Sequence, residues 1–99
     1  MLTGKQKRYL RSEAHHLSPI FQVGKGGVNE NMIKQIGEAL EARELIKVSI
    51  LQNCDQDKDE VALVISKGTR GEIVQKIGNT IVVYKESREN KKLELPKVK

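Results

Sequence analysis

Four consecutive residues, Gly24-Lys25-Gly26-Gly27, have the types and the spacing to bind a phosphate group. They lie between a short apolar segment, residues 20–23, and a segment with helical spacing that begins near Asn29. A strand that leads through glycines into a helix leaves several backbone N–H groups unpaired, and the helix dipole adds about half a positive charge at that end. Because glycines allow a phosphate to approach closely and Lys25 supplies a formal charge, the segment predicts a phosphate-backbone contact.

The spacing of these glycines excludes three well-known phosphate loops. The sequence lacks the G-x-x-x-x-G-K-[ST] pattern of a P-loop, and a dinucleotide fingerprint would need glycine where Asn29 stands. A kinase glycine-rich loop would need a catalytic lobe that 99 residues cannot contain. What remains is G-x-x-G, which KH-type modules use to clamp a nucleic-acid backbone. On its own, this short motif is more often a plain strand-to-helix turn.

Positive charge is concentrated in the part of the sequence that contains this motif. The net charge is +5, of which residues 1–27 carry +4, residues 28–85 carry −1 and residues 86–99 carry +2. Within a predicted first helix, the basic side chains fall on a stripe apart from the apolar arc. The stripe contains Lys7, Arg8, Arg11 and His15, with Lys5 next to it. A basic patch favours a polyanionic partner, although a stripe alone is also typical of a solvated helix face.

The residues that could support catalysis or metal binding do not form a recognisable set. Cys54 is the single cysteine and has no basic neighbour in sequence, so we interpret it as an inert thiol. The acidic residues at 55, 57 and 59 lack the glycine and glutamate that an EF-hand loop requires, and His15 and His16 point about 100° apart on a helix. We therefore expect no catalytic residue, no metal and no cofactor. Only three aromatic residues are present, so contacts with a nucleic acid should go mainly to phosphates and sugars.

The surrounding sequence predicts three helices and four strands. Capping signals at Thr3, Asn29 and Asp57 indicate helix starts, Gly71 is placed to close the third helix, and Gly78-Asn79 is a hairpin signal. The predicted helices cover about residues 4–16, 29–42 and 58–70, and the predicted strands cover 20–23, 45–51, 72–77 and 80–85. The order is a helix followed by β-α-β-α-β-β, which predicts an α/β (α+β) fold with a mixed sheet against which the helices pack.

The length suits one domain, assigned to residues 1–85. Residues 86–99 are highly charged, and we expect a flexible tail there. A single cysteine excludes an intrachain disulfide and fits a reducing compartment, and no apolar run reaches the roughly 20 residues needed to span a bilayer. These features predict a soluble cytoplasmic protein without membrane contact, taken as a monomer.

Several separate segments together resemble the CRM domain, named for chloroplast RNA splicing and ribosome maturation, in its stand-alone bacterial YhbY-like form. The segments are Leu2 to Arg11, Pro19, Val23 to Val28, Glu44 to Val48, Ile77-Gly78 and Val83-Tyr84. The resemblance implies a fold like the C-terminal domain of translation initiation factor three, with four strands. It also implies RNA binding without catalysis, in association with precursors of the large ribosomal subunit. Residues 61–70 depart from the alanine- and glutamate-rich helix of the family.

The hypothesis is therefore an RNA-binding assembly factor that acts on large-subunit ribosomal RNA. Its candidate RNA-binding residues are Gly24, Lys25, Gly26, Gly27, Lys5, Lys7, Arg8, Arg11 and Lys34, with Lys47 as a weaker candidate. One alternative is a general RNA chaperone or tRNA-binding accessory protein. Another is a protein-interaction adaptor that uses the acidic face of the second helix or the tail. A small enzyme that depends on Cys54 or His15 is the least favoured, and only the resemblance argues against DNA.

Overall fold

The computed structural model describes residues 2–89 and Leu93. It contains the predicted order of elements, with every boundary within two residues of its predicted position. The helices are α1 (Gly4–Ala14), α2 (Glu30–Arg43) and α3 (Lys58–Thr69), and the strands are β1 (Phe21–Val23), β2 (Leu45–Ile50), β3 (Glu72–Ile77) and β4 (Thr80–Tyr84). The predicted α+β fold with a mixed sheet is confirmed.

Each helix begins at its predicted cap. Thr3 and Gln6 form a reciprocal capping box before α1, with both N–H···O distances 3.1 Å. Asn29 accepts from the Met32 N–H before α2, and Asp57 accepts from the Glu60 N–H before α3, both at 2.8 Å. Because these bonds satisfy N–H groups that the helices leave unpaired, the local sequence determines where each helix starts.

The end of α3 differs from the prediction. Arg70, with φ 62°, adopts the left-handed conformation that was expected of Gly71. Gly71 is buried, and a Cβ at this position would lie 3.1 Å from Val83 Cγ1 and 3.3 Å from Leu40 Cδ1. Gly71 therefore serves close packing where the chain enters β3.

The sheet order β1-β2-β4-β3 places β2 next to both β1 and β4. Val48 of β2 pairs with Phe21 in the parallel ladder and with Ile81 in the antiparallel ladder. The β3–β4 hairpin has a register shift between Ile73 and Gln75. Because β1 and β2 run together and β4 runs against them, the ends of β1 and β2 lie at the same edge as the hairpin turn.

The two faces of the sheet have separate apolar cores. Helices α2 and α3 cover one face, and the core there consists of Val23, Ile36, Leu40, Ile46, Val48, Ile50, Val61, Ala62, Ile65, Ile81 and Val83. Helix α1 covers part of the other face, which we call the α1 face. The core under α1 consists of Leu10, Ala14, Leu45, Val74, Val82 and Tyr84. Alternate residues of each strand therefore belong to different layers.

The segment after β4 is attached to two carboxylates at the end of α2. Glu44 is fully buried, and its carboxylate accepts hydrogen bonds from the N–H groups of Ser87 and Leu93, both at 2.8 Å. Glu41 accepts from the Ser87 hydroxyl at 2.7 Å and from the Arg88 and Glu89 N–H groups. These bonds hold the pKa of Glu41 below its ordinary value, the Ser87 bond having the largest effect. The start of the segment expected to be a flexible tail therefore has defined contacts, while residues 90–92 and 94–99 lie outside the described residues.

Helix α3 packs closely against α2 at Gly68. A Cβ at Gly68 would lie 2.8 Å from Ile33 Cγ2 and 2.9 Å from Ile33 Cδ1. Gly37 of α2 has no atom within 4 Å of the corresponding position. The sequence indicated Gly68 only as a residue that weakens a helix, whereas the structure shows that its missing side chain allows the two helices to pack.

We predict opposite effects for the same substitution at these two glycines. Gly37→Ala should raise the free energy of unfolding by about 0.5–1 kcal/mol because alanine is the better helix former. Gly68→Ala should lower it by about 1 kcal/mol, since overpacking against Ile33 outweighs that gain. Urea denaturation followed by circular dichroism measures both. Equal stabilisation by the two variants would contradict the close approach of α2 and α3.

Candidate functional site

The G-x-x-G segment forms a tight loop between β1 and the cap of α2. Gly26 and Gly27 have φ values of 91° and 70°, a region that side chains other than glycine rarely adopt. The Gly27 N–H donates to the Gly24 carbonyl at 3.1 Å, which closes the turn. The glycines are therefore required by the backbone conformation of this loop.

Gln56, from the connection before α3, supports the loop from behind. Its side-chain oxygen accepts a hydrogen bond from the Val28 N–H at 3.1 Å. Gly27 is buried, and a Cβ at that position would overlap the Gln56 side chain. The loop is therefore held by a residue 28 positions away in the chain, and sequence reasoning missed it because nothing in the local pattern marks Gln56.

The tip of the loop faces solvent. Lys25 and Gly26 are exposed, and a Cβ at Gly26 would have no atom within 4 Å. Neither of their backbone N–H groups donates a hydrogen bond to any part of the chain that the structure describes. With the start of α2 immediately behind them, these two N–H groups and the Lys25 ammonium form a small positive surface that can accept an anion.

The basic residues of helix α1 lie either beside its buried side or on its solvent side. Leu10 and Ala14 are buried against the α1 face of the sheet. Lys5 and Arg8 are exposed, while Lys7 and Arg11 are half-buried. The long aliphatic stems of partly buried Lys and Arg can pack on apolar surface while the charges stay in water. The residues of the predicted stripe are therefore accessible, at least in part, on the surface of α1.

An open strip of the sheet connects α1 with the loop. We define the sheet strip as Gln22, Lys47, Ser49 and Thr80, which alternate with core residues and lie on the α1 face. Gln22 pairs with Ser49, which in turn pairs with Thr80. Arg11 and Lys47 line one cavity at the α1 side of the strip. The Gly24–Gly27 loop follows Val23 at the opposite border of the sheet strip. The loop and the basic stripe of α1 therefore border the same surface.

Lys34 occupies a different layer. It is exposed on α2, five residues after the cap Asn29, which corresponds to about 7.5 Å along the helix axis. Because α2 packs on the face of the sheet opposite α1, Lys34 lies on the loop end of the molecule but away from the stripe. The predicted site residues are thus split between the α1 face and the start of α2.

Two of the three acidic residues at positions 55, 57 and 59 have structural partners. Asp57 caps α3, and the Asp59 carboxylate accepts a hydrogen bond from Lys76 Nζ at 2.7 Å. This contact lowers the pKa of Asp59 from its ordinary value. Within residues 2–89 and 93, none of the helices has the length and hydrophobicity to cross a bilayer.

Comparison with known proteins identifies related sequences along the whole folded body. The family model of the CRS1/YhbY (CRM) domain matches residues 2–85. Probable RNA-binding protein YqeI of Bacillus subtilis is 76% identical over 96 residues, covering 97% of this chain and all of that protein. A protein of Haemophilus influenzae named RNA-binding protein is 36% identical, covering 97% of this chain and 96% of its own length. The solution structure of protein SAV1595 from Staphylococcus aureus superposes with a TM-score of 0.80 at 67% identity, covering 97% of this chain and 100% of that one.

We predict that Gln56→Ala loosens the loop. The substitution leaves the half-buried Val28 N–H without its acceptor, and the loss of free energy should lie towards the lower end of the roughly 1–3 kcal/mol that a fully buried group costs. The Val28 amide should then exchange its hydrogen faster by tenfold or more, as measured by NMR on the free protein. Gln52→Ala, at an exposed glutamine in the same connection, is the control and should leave the exchange rate unchanged. Equal rates in the two variants would show that Gln56 does not support the loop.

Proposed function

Because this chain belongs to the CRS1/YhbY (CRM) domain family, we propose that it binds RNA and has no catalytic role. Two relatives that cover nearly the whole chain are named RNA-binding proteins. The observation that carries the proposal is the exposed, unpaired tip of the Gly24–Gly27 loop at one border of a surface whose other border is the basic side of α1. Such an arrangement supplies backbone and charged donors to successive phosphates of one strand.

In this proposal the loop and the helix have distinct tasks. The N–H groups at Lys25 and Gly26 hydrogen-bond one phosphate, and the Lys25 ammonium neutralises its charge. The α1 side chains neutralise neighbouring phosphates, principally through Arg8 and Arg11, with Lys5 and Lys7 beside them. Lys34 reaches a phosphate that passes the start of α2. Phosphate contacts of this kind set the position of the RNA without reading its sequence.

The more specific proposal is a cytoplasmic assembly factor for the large ribosomal subunit that binds its ribosomal RNA. It rests on the resemblance of the sequence to the bacterial YhbY-like proteins. A general RNA chaperone or tRNA-binding protein would use the same surface without ribosomal preference. An adaptor that uses the acidic side of α2 is less favoured, because Glu41 is already bonded to Ser87, Arg88 and Glu89.

Lys25→Ala should weaken RNA binding and reduce its dependence on salt. Each neutralised phosphate contributes about −0.7 to −0.9 to the slope of log K against log salt, so loss of one contact should flatten the slope by that amount. Fluorescence anisotropy with a single-stranded RNA at several salt concentrations measures it. Lys67→Ala, at an exposed lysine of α3, should not change the slope. An unaltered slope in Lys25→Ala would place Lys25 outside the RNA contact.

The ribosomal part of the proposal predicts co-migration with large-subunit particles. Lysate from cells that produce the tagged protein is separated on a sucrose gradient at low magnesium. The wild type should sediment with large-subunit particles, whereas the double variant Lys25→Ala/Arg8→Ala should stay near the top. A wild-type protein that also stays at the top would contradict the assembly-factor proposal and favour a free RNA chaperone.

A further inference from the structure

A cavity of about 190 Å³ lies between the C-terminal half of α1 and the open part of the α1 face. Its lining combines three kinds of group: cationic or imidazole side chains, neutral hydrogen-bonding side chains, and a small apolar surface. The lining residues are Arg11, Ala14, His15, Lys47, Gln75, Ile77, Thr80 and Val82. None of them is acidic. Sequence reasoning placed Arg11 and Lys47 among the RNA contacts but assigned nothing to Gln75 or Thr80.

The polar side chains in this cavity are free to bond an incoming ligand. The described residues provide no hydrogen-bond or ion-pair partner for the side chains of Arg11, Lys47, Gln75 or Thr80. The neighbouring Lys76 points to the other side of β3, where its Nζ donates a hydrogen bond to the Asp59 carboxylate. The β3 register shift lies immediately before Gln75. Because a bulge changes the direction of the side chains that follow it, Gln75 lies on the α1 face. The cavity is therefore a polar recess that the fold itself does not use.

The chemistry of the lining matches a single unstacked nucleobase. His15 and Arg11 offer flat groups of the kind on which RNA-binding proteins stack a base. The His15 ring is itself packed edge-on against His16, with centroids 5.8 Å apart. The Gln75 amide carries a donor and an acceptor, the combination that pairs with N7 and N6 of adenine. The Thr80 hydroxyl adds one further donor or acceptor.

Size and charge restrict the occupant further. A cavity of about 190 Å³ is smaller than the roughly 300 Å³ at which pockets bury a drug-sized molecule, so it suits one base better than a larger ligand. Lys47 and Arg11 can meet the phosphates on either side of that base. Ile77 is 58% exposed at the rim and provides an apolar edge. An acidic partner would leave the oxygen of the Gln75 amide without a donor. A purely apolar partner would leave the cations without a complementary charge.

We propose that this cavity is a base-reading subsite that accepts one unstacked adenine of a single-stranded RNA. The inference rests on the proposed function and deepens it, because it adds sequence preference to a surface that otherwise contacts phosphates. The strand runs from the Gly24–Gly27 loop along the sheet strip, and one base turns into the cavity beneath the C-terminal half of α1. Gln75 is the residue that discriminates between bases, and His15 holds the base by stacking.

The test compares two fluorescein-labelled RNAs, a 12-nucleotide oligouridine and the same oligonucleotide with one central adenine. The wild type should bind the adenine-containing RNA about fivefold more tightly or better, the lower end of what one bidentate base contact supplies. Gln75→Ala should reduce this ratio towards one while leaving the affinity for oligouridine and the salt slope unchanged, and Thr80→Val should also reduce the ratio. Circular dichroism melting of both variants establishes that the sheet remains folded.

Lys25→Ala separates the subsite from the phosphate contact. It should weaken binding of both RNAs and flatten the salt slope, yet keep the wild-type ratio between them. A wild-type ratio near or below one, or an unchanged ratio in folded Gln75→Ala, would overturn the adenine subsite alone. Absence of binding to either RNA by the wild type would overturn the proposed RNA-binding function as well.

Discussion

Simultaneous pairing of β2 with β1 and with β4 is the interaction on which the rest of the structure depends. The parallel ladder carries the end of β1, and with it the glycine loop, to the same edge of the sheet as the β3–β4 hairpin. The Ile50 N–H donates to the Asn79 carbonyl and the Leu51 N–H donates to the Val23 carbonyl, so the pairing reaches the last residue of β2 on the β4 side and one residue past it on the β1 side. A slip of one residue would exchange the two faces of the sheet. It would bury Lys47 under α2 and α3 and expose Val48.

Partial cover of the sheet makes a functional surface possible. Helices α2 and α3 shield one face fully enough to form the larger core, whereas α1 covers only part of the other. The uncovered part lies between the loop and α1 and bears the polar alternate residues of β1, β2 and β4. A fold with helices on both faces thus keeps one strip of its sheet accessible, bordered by cations on α1 and by free backbone donors in the loop.

Charge is used differently on the two sides of the molecule. Several carboxylates have structural roles: Asp57 caps α3, Asp59 pairs with Lys76, and Glu41 and Glu44 hold the segment after β4. The backbone donors to Glu44 offset the cost of burying its charge. The pKa of Tyr84 is raised to about 12, mainly because Tyr84 is itself buried and secondly because the negative charge of Glu44 is near. Lys25, Arg8 and Arg11 instead have exposed or half-exposed side chains on the α1 side. These cationic side chains therefore border the candidate interface.

The sequence by itself determined the elements of this protein, because their signals are local. The caps at Thr3, Asn29 and Asp57, the Gly78-Asn79 turn and the glycine loop each depend on residues within a few positions of one another. Only the tertiary structure decided which distant residues meet. Gln56 accepts a hydrogen bond from the loop, and Gly68 leaves room for the side chain of Ile33. Glu44 accepts a hydrogen bond from the backbone of Ser87, and the bulge in β3 places Gln75 in the same cavity as Arg11. These contacts follow from strand order and helix packing, which bring together residues that no local spacing relates.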